Sequence, residues 1–94
     1  SRAYRKKIKK YEKVIIEAGI FDSAFYQNQY PDVERSQLSP CLHYLLYGAY
    51  EGRRPSSNFN PNKYLVTHSD IVEDGMEPLL HYALYGMHEN RNID

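Results

Sequence analysis

Tryptophan is missing from this chain, cysteine occurs once, and no apolar run reaches the roughly eighteen residues of a membrane-spanning helix. One cysteine excludes an internal disulfide. No stretch has the charged-then-apolar layout of a signal peptide, so the sequence reads as soluble. Five glycines and five prolines in 94 residues are scattered, and they form neither a phosphate-cradling loop nor a nucleophile elbow; no Cys/His pattern has zinc spacing either. Catalysis, a metal and a cofactor are therefore not expected within this segment. A chain of this size buries only about two-thirds of its unfolded surface, and the opening Ser1-Arg2 suggests a piece of a longer protein.

What is present is a sentence said twice. Residues 21–55 align on 59–93 at a constant offset of 38, with twelve of 35 positions identical: Phe21/Phe59, Tyr26/Tyr64, Asp32/Asp70, Pro40/Pro78, Leu42/Leu80, His43/His81, Tyr44/Tyr82, Leu46/Leu84, Tyr47/Tyr85, Gly48/Gly86, Glu51/Glu89 and Arg53/Arg91. Such a period implies stacked supersecondary units. A residue held at both equivalent positions is expected to serve the unit's architecture. Cys41 pairs with Leu79 in this alignment, which marks it as a buried core thiol.

Zero net charge hides two opposed parts. Residues 1–13 carry seven basic residues against Glu12 alone, +6, and the remainder holds five basic against eleven acidic, −6. Such asymmetry implies that the arm docks on the acidic body or meets an outside anion. Tyr4, Ile8, Tyr11, Ile15 and Ala18 recur at helical spacing, so 3–18 reads as an amphipathic helix stopped by Gly19. It is expected to pack on the first copy with its lysines in solvent. An anionic membrane face is the alternative partner for this helix, and nucleic acid the least expected one.

Each copy opens on an aromatic and an Asx cap, Phe21-Asp22 and Phe59-Asn60-Pro61, predicting short helices at 23–29 and 61–67. A second short turn follows in each, with Asp32 and Asp70 as caps. Gly75 closes the later one, whereas Gln37 at the matching place implies that a positive φ is not required. The longest helix starts at Pro40 or Pro78 and runs to Glu51 or Glu89, with Gly52 and Asn90 as left-handed caps, the alternative being a stop at Gly48 or Gly86. Gly48 and Gly86 then lie inside helices, at about 1 kcal/mol each relative to alanine, which implies close helix–helix approach. The expected fold is all-α: a basic helix at 1–20, then stacked repeats at 21–58 and 59–94.

His43 and His81 are read as structural, their ring nitrogens tying a loop carbonyl or a carboxylate. Glu51 with Arg53, and Glu89 with Arg91, read as inter-repeat salt bridges or carbonyl caps rather than as a grip on a bound anion. Core packing accounts for the tyrosines at 26/64, 44/82 and 47/85. The positions that differ between copies are the ligand-binding candidates: Tyr30 against His68, Tyr50 against His88, and Arg54 against Asn92. Exposed tyrosines there could stack on sugar rings or anchor a protein.

The pattern Phe21-Asp22, Tyr26, Tyr30-Pro31-Asp32-Val33, Pro40, Leu42-His43-Tyr44, Gly48 and Glu51-Gly52-Arg53-Arg54-Pro55 resembles a repeat found beside glycosyltransferase modules of bacterial O-antigen and rhamnan synthesis, and in some large secreted bacterial proteins. The second copy departs from it at Thr67-His68-Ser69-Asp70 and Glu89-Asn90-Arg91-Asn92. The resemblance implies a non-catalytic module of a cytoplasmic enzyme peripheral to the inner membrane. It implies as partners other domains of that enzyme or a second copy of the chain, with polysaccharide a further one.

Overall fold

A computed structural model describes residues 1–93. Among these the chain is all-α, with a single isolated bridge between Ser56 and Phe59 as the only extended pairing. Helix α1 (Arg2–Ala18) is capped by the Ser1 hydroxyl, which accepts from the Tyr4 amide, and ends on Gly19 at φ 71. Then come α2 (Ser23–Gln29), α3 (Asp32–Ser36) and α4 (Pro40–His43), the last continuing through a π-helical turn (Tyr44–Gly48) and a 3-10 turn (Ala49–Glu51). Helices α5 (Pro61–Thr67), α6 (Asp70–Asp74) and α7 (Pro78–His81) follow in the same order, with a second π turn at Tyr82–Gly86.

Local chemistry accounts for these boundaries. The Asp22 carboxylate caps the Phe25 amide and the Asn60 carbonyl caps Asn62 and Lys63, satisfying amides that a helix start leaves orphaned. Gly52 caps the first rod at φ 73, but the second rod ends at Gly86 and not at the expected Glu89, so Asn90, left-handed at φ 56, closes a turn beyond it. Asp32 and Asp70 are not caps: Pro31 and Ser69 hold those positions, and the two aspartates begin their helices with carboxylates free for another partner. Gln37 is a further correction, for it adopts φ 62 beside Gly75 at φ 66. The α3–α4 turn demands that conformation whatever the side chain, and a non-glycine residue holds it against a steric penalty of about 1–2 kcal/mol. Gln37→Gly should therefore raise stability by about 0.5–1 kcal/mol in urea denaturation, after the added flexibility of the unfolded chain is subtracted. Unchanged or lower stability would mean that the turn is not strained.

The core runs through all the helices. Ile8 and Ile15 of α1, Tyr26, Val33, Cys41, Tyr44 and Leu45 of the first copy, and Phe59, Tyr64, Ile71, Leu79, Leu80 and Ala83 of the second form one buried cluster. Each fully buried aliphatic such as Ile15 or Ile71 contributes about 1.5–3 kcal/mol. Helix α1 does not pack on the first copy alone, as its sequence position suggests. It lies against α4, α7 and both π turns, supplying cover that neither copy has by itself. Its basic side chains make no ion pair with the acidic body among the described residues.

The bond between the copies runs through Glu77. The hydroxyl of Tyr44, wholly buried, donates to Glu77 Oε2 at 2.8 Å, while the same carboxylate accepts from the Leu79 and Leu80 amides and so caps α7. Burial pushes the Glu77 carboxyl above its usual range, against the lowering effect of those donors. Ser39 stands at the matching place in the first copy and donates instead to Glu12 of α1, at 2.6 Å.

Candidate functional site

The residue types that could carry chemistry meet first inside each copy. Tyr26, projecting from α2, places its hydroxyl 2.8 Å from His43 Nδ1 on α4, and Tyr64 does the same to His81 at 3.0 Å. The histidine partner is thus a tyrosine hydroxyl, not a carbonyl or carboxylate. Both pairs are separated by 17 residues, and both lie against a glycine of the π turn. A Cβ at Gly48 would overlap the Tyr26 hydroxyl, and one at Gly86 the Tyr64 hydroxyl. What crowds these glycines is a tyrosine tip from the preceding short helix, not another helix backbone. Burial raises both tyrosines' pKa values, Tyr64 to about 12, so the hydroxyls remain protonated, and the imidazole tautomer decides which partner donates.

A second shared link closes each unit. Arg53 grips Asp32 with two parallel hydrogen bonds of 2.9 Å and holds Glu51 through Nε at 2.9 Å. Arg91 grips Asp70 twice at 2.8 Å and Glu89 at 2.8 Å. Two-pronged pairing of this kind fixes geometry as well as charge. These bridges lie within a copy, the arginine–aspartate pairs spanning 21 residues, and not between copies: the arginine follows a left-handed residue, Gly52 or Asn90, and folds back on α3 or α6 of its own unit. The guanidinium hydrogen bonds hold Asp32 below the ordinary carboxylate range and Asp70 at about 2.

The positions that differ between copies are distributed unevenly. Tyr30 is half-buried, its ring 5.1 Å from Tyr26 and under the Arg53 guanidinium, and its hydroxyl accepts from the Arg54 amide at 2.9 Å. His68, in the matching place, packs tilted against Tyr64 with ring centres 4.6 Å apart, and its Nε2 lies 2.8 Å from the Asn92 carbonyl. These two therefore hold each unit's exit strand by different bonds. Arg54 is half-buried, donates to the Ser57 carbonyl, and shares an open cleft of about 290 Å³ with Lys63 and Asn58. His88 is exposed and stands apart from the rest. Tyr50 is the most exposed large aromatic, at 81 %. Tyr47 and Tyr85, expected in the core, are about half exposed, at 54 % and 49 %, with one edge against His43 or His81. The π turn rotates them off the buried face that a regular α-helix predicts.

Tyr50 lines a groove of about 430 Å³ between the first half of α1, the end of the α4 rod and the α6–α7 turn. Tyr4 and Tyr11 line its α1 side, Ala49 and Met76 add apolar wall, and Lys7, Asp74 and Glu77 are its charged members. Lys7 lies 5.7 Å from the Tyr11 ring centre. Only Tyr50 of this set stood among the sequence candidates; α1's contribution depends on its packing direction, which the sequence does not state. Among the described residues no group of three or more His, Cys, Asp or Glu side chains is arranged to hold a metal ion, and no helix is long and apolar enough to cross a membrane.

Acid should act on the folded state through His81. Burial and then the nearby Arg91 lower its pKa below 6.5, so the unfolded chain takes up the proton first as pH falls. Stability contributed by the neutral ring is complete above about pH 6.5 and declines below it. Glu77, raised by burial, acts with the opposite sign, and Asp70 adds to the loss only at still lower pH. Thermal unfolding followed by circular dichroism from about pH 7.5 to 5.5 should show this loss, and His81→Asn should flatten it. An identical slope in the variant would remove His81 as its source.

The chain matches no family model, no curated protein and no solved structure.

Proposed function

We propose that this chain is a non-catalytic module of two stacked helical units of 38-residue period, which joins or positions the catalytic parts of a bacterial surface-polysaccharide glycosyltransferase at the cytoplasmic membrane face. The observation that carries the reading is that the histidines, aspartates, glutamates and arginines shared by the copies are each bonded to another shared residue. Tyr26 meets His43 and Asp32 meets Arg53, and the same partners recur 38 positions later. Groups so engaged serve the unit, leaving the outer surface for partners: other domains of the parent enzyme or a second copy of the chain. Deleting residues 21–93 from the parent should impair assembly or product chain length while sparing sugar transfer to a soluble acceptor. Complete loss of transfer from an otherwise folded enzyme would contradict the proposal.

A second reading, glycan binding, is favoured by the groove beneath Tyr50. Tyrosine offers an apolar face and a wet hydroxyl, and three tyrosines flank this groove beside one cation, Lys7, and two carboxyl side chains, Asp74 and Glu77. Titration with the polysaccharide should shift the Tyr50 ring resonances, with Tyr50→Ala abolishing saturable binding. Unshifted tyrosine and histidine resonances would remove this reading.

A further inference from the structure

Helix α1 is built against its own stability. Arg2, Lys6, Lys9 and Lys13 follow one another at four, three and four residues, so they form one row about 16 Å long on a single face. Arg5 and Lys10 flank the row, and all six side chains are exposed. Repulsive pairs at i,i+4 recur along it, Arg2 with Lys6, Arg5 with Lys9, Lys6 with Lys10 and Lys9 with Lys13, each destabilising to the helix. The first turn holds no acidic residue, and cations at a helix N-terminus oppose the macrodipole. The body is acidic enough to relieve this charge, yet none of these cations pairs with it among the described residues. A local rule broken without internal compensation points to an outside partner.

We propose that this cationic row is a docking surface for an anionic lipid bilayer. The helix does not insert its apolar stripe, because Ile8 and Ile15 are buried against α4 and α7. It lies flat by charge, with the acidic body turned away from the membrane. Two observations favour a bilayer over nucleic acid. Ile16, 56 % exposed, flanks the row beside Lys9 and Lys13 and offers an apolar contact at headgroup depth, whereas phosphodiester backbone has no use for it. The row also carries no aromatic platform for bases, since Tyr4 and Tyr11 line the groove on the other side of the helix. The inference is independent of the proposed parent enzyme.

Co-sedimentation of the chain with vesicles tests it. Binding to phosphatidylcholine vesicles containing phosphatidylglycerol should be strong at low salt and weak at high salt, and absent for phosphatidylcholine alone. Each cation near an anionic surface is worth about fivefold in partitioning. The variant R2Q/K6Q/K9Q/K13Q should therefore lose binding by roughly several hundredfold while its helix content and thermal midpoint are kept or raised, because glutamine matches lysine in helix propensity and removes the like-charge repulsion. Ile16→Ser should weaken vesicle binding severalfold further than it weakens binding to a duplex oligonucleotide. Equal binding to neutral vesicles, retained binding by the four-glutamine variant, or tighter binding to the oligonucleotide than to anionic vesicles would each overturn the proposal.

Discussion

Replacing Gly48 with alanine is expected to destabilise the chain by about 2–4 kcal/mol, although the same change in an exposed helix stabilises by about 1 kcal/mol. The added methyl would occupy the place of the Tyr26 hydroxyl and come within 3.2 Å of its Cζ. Tyr26 is fully buried and its hydroxyl is bonded to His43, so the ring cannot swing aside without breaking that bond and opening the core. Tyr26→Phe removes the colliding atom and leaves His43 Nδ1 without its partner, at about 1–3 kcal/mol. Combined with Gly48→Ala, it should cost markedly less than the sum of the two single changes, a coupling of about 1–2 kcal/mol in a denaturation cycle. Additive effects would mean that the glycine is not there for the hydroxyl. Gly86 repeats the arrangement against Tyr64, with Tyr82 Cδ1 at 2.9 Å as an additional obstacle.

Removing the Glu77 carboxylate should be the other large effect. Glu77→Ala takes the cap from α7, worth about 1 kcal/mol, and strands the Tyr44 hydroxyl, which is wholly buried, at a further 1–3 kcal/mol or so. A total near 2–4 kcal/mol is expected in urea unfolding, with Glu77→Gln recovering a good part because its carbonyl still accepts from Tyr44. The loss should appear as one cooperative transition of lowered midpoint, since the bond ties the two copies into one core. Two separated transitions would show that the copies unfold independently, and an effect confined to the cap alone would show that Tyr44 finds another acceptor.

Much of the secondary structure was legible because it rests on local chemistry. Asp22, Asn60 and the prolines at 40, 61 and 78 set helix starts, and Gly19 and Gly52 set helix ends, each acting within a turn of its own position. Gln37 escaped because glutamine carries no sign of a positive φ; the hint was Gly75 at the matching place, read as optional when it was diagnostic. The polar bonds were legible in outline only. That His43 and Arg53 serve architecture follows from their recurrence, but their partners depend on which faces meet in space. The signal available was the shared spacing: 17 residues from tyrosine to histidine and 21 from aspartate to arginine, kept in both copies. Tyr47 and Tyr85 were misplaced because a regular helical period does not hold through a π turn. The groove under Tyr50 was invisible for a different reason, since it needs α1 to lie across both copies.

The central claim is that the shared histidines hold the units together and do not form a site, and nitrogen-15 NMR of the imidazole rings tests it most directly. With each Nδ1 held by a buried tyrosine hydroxyl, both His43 and His81 should be fixed in one and the same tautomer. The account predicts this single tautomer in both rings, unchanged on adding polysaccharide or a nucleotide sugar. Rings that exchange between tautomers, or that respond to either ligand, would contradict it.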